Sequence, residues 1–264
     1  APAMSLTARV AGIGVAGPGL ANWDAAREAL LEPAAYIRSP TVVPAPEALP
    51  PVERRRCGTN VRLALAAGFE AARRGGLLPE AFATVFASSS GDGDNCHAIC
   101  ETLASEDRLI SPTRFHNSVH NAPSGYWSIA SRSTRPSDSI GAFDASFAAG
   151  LLEALTRIAG GESPVMLIAY DSPYPEPLQA ARPMEDGFAV ALALRPPDAA
   201  GLLLGASISN EAPAVLANDA LEALRRGVPA ARSLPLLALL ARGVAGSTAV
   251  EYLPGLALRI EVAP

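Results

Sequence analysis

Charge is scarce in this chain. Of its 264 residues only 18% are Asp, Glu, Lys or Arg, and 21 cations against 26 anions leave a formal net charge of −5. That sign excludes an electrostatic footprint for nucleic acid, and no basic stripe with interleaved aromatics runs through the chain. Cysteine is nearly absent: three, an odd number at this length, do not make a disulfide framework, and a reducing cytoplasm is the natural setting. Nor is there an apolar run of the ~18 residues that a membrane-spanning helix requires. The longest candidate, Leu234 to Leu240 between Arg232 and Arg242, is too short. The opening Ala1-Pro2-Ala3 before Met4 has neither a charged n-region nor an apolar h-region, and reads as a cloning remnant and not a signal peptide.

What is present is apolar. Hydrophobic residues make up 49% of the chain and the mean hydropathy is +0.21. The length allows a substantial core in one large α/β domain or two small ones. So apolar a composition gives more buried surface than one monomer needs, which points to a partner interface.

Hydrophobic runs and turn residues alternate along the chain in the manner of an α/β sheet with helices on both faces. Strands are expected at Val10–Ala16, Thr84–Ser88, Ser139–Phe143, Val165–Ala169, Gly187–Leu194 and Leu202–Ser209, with two short closing strands around Val250 and Leu258. A helix capped by Asn22 precedes a span from Pro33 to Pro51 whose six prolines require an extended surface loop. Further helices are expected at Glu53–Arg74, ended by Gly75-Gly76, at Cys96–Ala104, at Asn117–Ser131 with Pro123 as an interruption, and at Ser146–Ala159, Ala214–Arg226 and Leu234–Leu240.

The most informative stretch is Ser139 to Leu152, an apolar strand that runs through a small-residue turn directly into a helix with Leu151, Leu152, Leu155 and Ile158 on one face. Acyl-transfer enzymes put a nucleophile in such a turn, because the helix N-terminus offers free N–H groups and positive potential to a developing anion. Ser146 occupies it. A serine hydroxyl needs an adjacent base to attack, and His116 and His120, four apart, are the candidates. Their plainer reading is packing and hydrogen bonding beside Asn117 and Asn121; that of Ser146 is a helix cap, or a residue that only fills the space of a lost nucleophile. The Gly-x-Ser-x-Gly elbow of hydrolases is not written here.

Cys96, His97 and Cys100 invite a metal reading, but a zinc site needs about four ligands and a second pair exists only if His116 and His120 fold back. The cluster reads as a buried helix face, with no metal and no cofactor expected. Asp171, Glu185 and Asp186 read as solvated loop acids without a catalytic role. Arg54-Arg55-Arg56, the only basic run, reads first as a solvated helix start.

Several segments together resemble one family in register over roughly residues 7–195. These are Gly12-Ile13-Gly14-Val15, Asn22 to Leu31, Ile110 to Phe115, Asn121 to Ala130, Asp144-Ala145-Ser146, Arg182-Pro183 and Glu185 to Leu192. They are similar to the N-terminal half of the β-ketoacyl synthases, condensing enzymes of the thiolase superfamily. The resemblance implies a thiolase-like layered α/β half-fold, with helices packed on a mixed β-sheet. It implies a single domain over 1–264, with 196–264 as a short C-terminal extension.

In that family the turn carries a cysteine within a Thr-Ala-Cys-like motif, and two donor histidines follow it. Here the turn reads Asp144-Ala145-Ser146, and His97, His116 and His120 all precede it. The resemblance therefore implies a subunit inactive on its own, like the chain-length factors that pair with an active ketosynthase. The short synthase-like partners of bacterial aryl polyene clusters are of this kind. The implied partners are a catalytic ketosynthase, in a heterodimer, and an acyl carrier protein, in fatty-acid or polyketide-like elongation. A homodimer of the chain alone stays open.

On the same grounds the Ser139–Phe143 strand would pair with its counterpart in the partner and the Asn117–Ser131 helix, with Asn121, would line the interface. Phe143, Phe147, Tyr126 and Trp127 would shape the acyl tunnel. Arg54, Arg55 and Arg56 would touch the acidic carrier. Two other functions remain open at this point: an acyltransferase using Ser146 with His116 or His120, and a scaffold that recruits carrier protein without lining a tunnel.

Overall fold

The first apolar segment becomes the strand on which the rest is assembled. In the computed structural model, which describes residues 6–264, β1 spans Leu6–Ala16; the Ala1-Pro2-Ala3 reading lies outside the described residues. In chain order follow α1 (Trp23–Leu31), α2 (Pro51–Arg56), α3 (Thr59–Arg74), β2 (Ala83–Ala87), α4 (Gly93–Ala104), α5 (Pro112–His116) and α6 (Ala122–Ser131). The central part adds β3 (Ser137–Ile140), α7 (Ser146–Ala159), β4 (Val165–Asp171), α8 (Leu178–Ala181) and β5 (Phe188–Arg195). The last part consists of β6 (Leu202–Ser209), α9 (Asp219–Gly227), α10 (Leu234–Arg242), β7 (Gly246–Glu251) and β8 (Ala257–Ala263).

The eight strands among the described residues join one mixed sheet in the order β3-β2-β4-β5-β1-β6-β8-β7. β2 runs parallel to β3 and β4, and the remaining pairs are antiparallel. β2 and β4 are buried at every residue, as continuous apolar strands covered on both faces must be. The side-chain alternation of β4 divides the core in two. Val165, Leu167 and Ala169 face the cluster that holds Phe147, Leu151 and the α10 leucines, whereas Met166, Ile168 and Tyr170 face α3 and α6.

α3 lies on β1 at glycine distance. A Cβ at Gly12 would stand 2.2 Å from the Ala71 carbonyl oxygen, and one at Gly14 1.9 Å from that of Ala67. Among the described residues, no helix is long and apolar enough to cross a membrane.

Local chemistry moves four of the expected boundaries. The helix expected over Glu53–Arg74 breaks at Cys57-Gly58, where Asn117 Nδ2 donates to the Arg56 carbonyl at 2.8 Å. The three arginines therefore form a short helix of their own. The helix expected from Asn117 begins at Ala122, with Pro123 in its first turn and not as an interruption, since the missing N–H is tolerated there. His116 closes α5 and His120 lies in the following turn, so the two do not share a helical face.

The strand expected to reach Phe143 ends at Ile140. The helix expected from Ala214 begins at Asp219, because Ala214 N–H donates to the Ala249 carbonyl at 2.9 Å and Asn218 Oδ1 accepts from Ala220 and Leu221 at the true start. Likewise α4 is not a buried face: Cys96 and Cys100 are exposed.

Candidate functional site

The turn that carries Ser146 is set by what lies on either side of it. β3 brings the chain to the sheet edge, and α7 leaves with Phe147, Leu151, Leu155 and Ile158 buried. Gly150 lets α7 settle onto β2 and β4: a Cβ there would lie 2.8 Å from Ala87 and 2.9 Å from Leu167. Between strand and helix, Phe143–Ala145 forms a 3-10 turn.

Ser146 closes this turn on itself. Its Oγ donates to the Phe143 carbonyl at 2.7 Å and accepts from Ala142 N–H at 3.0 Å, and the residue is 1% exposed. The hydroxyl proton is thus committed to a carbonyl. His120 lies nearby, but its Nε2 stands 3.1 Å from the Ser88 carbonyl; a carbonyl only accepts, so that nitrogen holds a proton and is no base there. His116 is exposed at the end of α5. Neither histidine is hydrogen-bonded to Ser146.

Removing the hydroxyl strands the Ala142 N–H, while the Phe143 carbonyl keeps the Ser146 N–H. Ser146→Ala is expected to lower stability by about 1–3 kcal/mol. A drop of several degrees in the thermal midpoint of the isolated chain checks this, and an unchanged midpoint contradicts the bonding described.

Phe143 has φ +52°, a left-handed conformation that a bulky residue adopts at a cost of about 1–3 kcal/mol. Its ring is not buried by way of compensation, being 63% exposed. The Arg182 guanidinium sits 3.8 Å from the ring centroid. The same group donates to Asp144 (2.5 Å), Ser89 Oγ (2.7 Å) and Tyr174 Oη (2.9 Å). Arg232 holds the other Asp144 oxygen at 3.0 Å and reaches Glu251 at 2.6 Å. Glu251 also meets Arg225, which is paired with Glu222. A chain of alternating charges thus ties the turn to the last third of the sequence. Beside it opens a cavity of about 660 Å³ lined by Phe143, Asp144, Arg232, Glu251, Tyr252 and Leu256 among others.

Asp171 corrects the expectation of a solvated loop acid. β4 runs two residues past Ala169, and the Asp171 carboxylate is buried beneath the site. It accepts from Ser89 N–H (2.8 Å), Ser88 Oγ (3.2 Å) and Ala230 N–H (2.9 Å). Burial pushes its pKa up to about 7, against the opposing pull of those three donors and of Arg182.

A folded pKa above the unfolded one means that the folded chain binds the proton more tightly. The resulting stability is fully present below about pH 4 and is lost as the pH rises to about 7, by up to ~4 kcal/mol. The thermal midpoint is therefore expected to fall between about pH 4 and 7 through this group, with the slope flattened in Asp171→Asn. Equal slopes in the two proteins would contradict the assignment.

Glu185 and Asp186 tie down the proline-rich loop. Glu185 pairs with Arg38 at 2.6 Å, and Asp186 accepts from Thr41 N–H at 3.3 Å and Gly187 N–H at 2.8 Å.

The four aromatics do not share one wall. Phe147 packs in the α7 core, while Tyr126 and Trp127 lie across the sheet against α3. Trp127 stacks on Phe69 at 4.9 Å, and Tyr126 Oη donates to Asn117 Oδ1 at 3.0 Å. Asn121 is exposed, and its carbonyl accepts from Ser124 and Gly125 at the start of α6.

The three arginines also separate. Arg54 donates to the Glu47 and Leu49 carbonyls, whereas Arg55 and Arg56 line a second cavity of about 510 Å³ with Arg62, Arg114, Asp92 and Asp94. Among the described residues, no three His, Cys, Asp or Glu side chains gather as a metal site.

Three solved structures share this architecture over nearly their whole length. The ketosynthase (ApeO) in complex with its chain length factor (ApeC) from Xenorhabdus doucetiae supplies a chain 26% identical. The match covers 97% of this chain and 99% of that one with a TM-score of 0.75. The ishigamide ketosynthase/chain length factor matches at 13% identity, 97% and 99% coverage and a TM-score of 0.70. The AntDE:AntF complex, a type II polyketide acyl-carrier protein with its ketosynthase, matches at 11%, 98% and 99% coverage and 0.74. These last two likenesses show the fold alone.

No curated protein matches the sequence. The model of the β-ketoacyl synthase N-terminal domain matches residues 23–242, and with the fold and the strand-turn-helix just described, this chain belongs to the β-ketoacyl synthase N-terminal domain family.

Proposed function

We propose that the chain is a non-catalytic, chain-length-factor-type subunit that pairs with an active ketosynthase in polyketide-like, aryl polyene-type chain elongation. The observation that carries this reading is the state of Ser146. At the position where the family holds a cysteine, a serine spends its proton on a backbone carbonyl and has no base hydrogen-bonded to it. The 26% identity to a chain of the Xenorhabdus doucetiae ketosynthase–chain length factor complex, over the full length of both, supports the same assignment. We read 1–264 as one domain, because β1 pairs with β5 on one side and β6 on the other. A reducing cytoplasm suits its free cysteines.

The partner face in this reading is the β3 edge. Among the described residues β3 pairs only with β2, and Phe115, Val119, Ile129 and Phe143 are exposed in the neighbouring segments. An unpaired edge flanked by apolar side chains is a template for another strand. Phe143 and Phe147 are proposed to bound the acyl tunnel, with Tyr126 and Trp127 holding α6 against α3 across the sheet. The cavity with Arg55 and Arg56 is proposed as the carrier-protein contact.

Co-expression with the full-length β-ketoacyl synthases of the same genome tests this. A one-to-one complex is expected, with elongation that requires this chain and an activity per complex that survives Ser146→Ala. Failure to form any complex, together with a Ser146-dependent acyl adduct in the intact mass of the isolated chain, would overturn it.

A further inference from the structure

The Phe143 ring is held in an unusual state for no gain in burial. A left-handed phenylalanine is disfavoured, and such strain persists where the surroundings over-determine it. Here the ring is 63% exposed, so the strain secures an outward position and not a core contact.

Three groups impose that position. Ser146 Oγ fixes the Phe143 carbonyl at 2.7 Å, and Arg182 and Arg232 hold Asp144, the next residue, at 2.5 and 3.0 Å. The Arg182 guanidinium also covers one face of the ring at 3.8 Å. Arg182 is itself fixed by Ser89 Oγ and Tyr174 Oη, and Ser89 N–H is held in turn by the buried Asp171. A planar cation stacked on an aromatic ring restricts ring tilt in a way that an ammonium does not.

We propose that Arg182 is a positioning residue that locks the Phe143 ring as a rigid wall against the growing acyl chain, so that product length depends on a guanidinium that touches no substrate. This rests on the chain-length reading above. Its distinguishing feature is coupling: Arg182 acts on product length only through Phe143.

The test uses the purified complex with its ketosynthase, supplied with an acetyl starter and malonyl units on carrier protein, with products sized by mass spectrometry. Phe143→Ala is expected to lengthen the product by one or more two-carbon units. Arg182→Met is expected to shift it the same way, and the double variant to go no further than Phe143→Ala. Arg182→Lys keeps the charge opposite Asp144, guards against a folding failure and is expected to give a partial shift.

In the isolated chain, amide exchange at 142–145 is expected to rise at least tenfold in Arg182→Met. Unchanged exchange, or a Phe143→Ala shift that Arg182→Met does not share, overturns the lock and leaves the chain-length reading standing. Unchanged product length in both variants, with faster exchange in Arg182→Met, overturns the chain-length reading and the proposal that rests on it.

Discussion

Gly14→Ala is expected to lower the thermal midpoint of this chain by about 10 °C, although it adds a single methyl group. The methyl would stand 1.9 Å from the Ala67 carbonyl oxygen, 2.8 Å from its carbon and 2.9 Å from Ala71 N. These are backbone atoms of α3, which no rotamer change moves aside. β1 cannot retreat either, since Gly14 sits opposite Ala191 in a central strand. The helix must lift, and with it Ala64, Ala67 and Ala71, all fully buried.

Overpacking against a side chain costs about 1–3 kcal/mol, and a double backbone obstruction belongs above that range, at about 3–5 kcal/mol. Such a loss is a large part of the 5–15 kcal/mol by which domains are typically stable, and each kcal/mol moves the midpoint by roughly 2–4 °C at this size. Gly125→Ala is the control. Nothing lies within 4 Å of its added methyl in α6, and helix propensity there favours alanine by about 1 kcal/mol. A Gly14→Ala midpoint within 2 °C of the parent would mean that α3 does not rest on β1 at this distance.

The second large effect is expected at Trp127. The residue is 1% exposed, stacks on Phe69 and closes against Gly68, where a Cβ would meet its ring at 2.7 Å. Truncation to alanine empties the contact between α3 and α6 and is expected to cost about 3–5 kcal/mol. Trp127→Phe should cost much less, because the indole Nε1–H has no partner and its removal breaks no hydrogen bond.

Thermal denaturation ranks the two, and co-purification with the ketosynthase gives a second reading. If α6 lines the interface, Trp127→Ala weakens recovery of the complex beyond its loss of folded chain. Equal midpoints for the two variants would place the energy in the indole nitrogen and refute the packing argument.

Elements with an uninterrupted local signal are legible in the sequence. α7 begins and ends where its leucine stripe and flanking small residues put it, and β6 spans Leu202–Ser209 as expected. Two of the misplaced boundaries share one cause, a competing hydrogen bond from far along the chain. Asn117 takes the carbonyl of Arg56 sixty-one residues away, and Ala249 takes the amide of Ala214; neither leaves a trace in local periodicity.

The site divides in the same way. Ser146 was legible because the turn that holds it is contiguous. Arg182 could be seen only as part of a motif, and Arg232, Glu251 and the burial of Asp171 not at all. Ion pairs between residues 144, 182, 232 and 251 have no sequence spacing to betray them. The one available clue was that β4 stays apolar through Tyr170, which carries Asp171 into the interior.

The double pairing of β1 also governs the order of events at the ribosome. Residues 6–16 emerge well before their neighbours in the sheet, residues 188–195 and 202–206. At roughly 5–20 residues per second, the strand waits on the order of ten to forty seconds with both edges open. α3 can cover one face early, but no edge partner exists until residues 188–195 have been made. For such contacts of long sequence separation the closure entropy comes before the reward. The nascent chain therefore carries an apolar strand in search of a mate until residues 188–195 are made, and soluble yield should respond to chaperone supply and translation speed more than the finished fold would suggest.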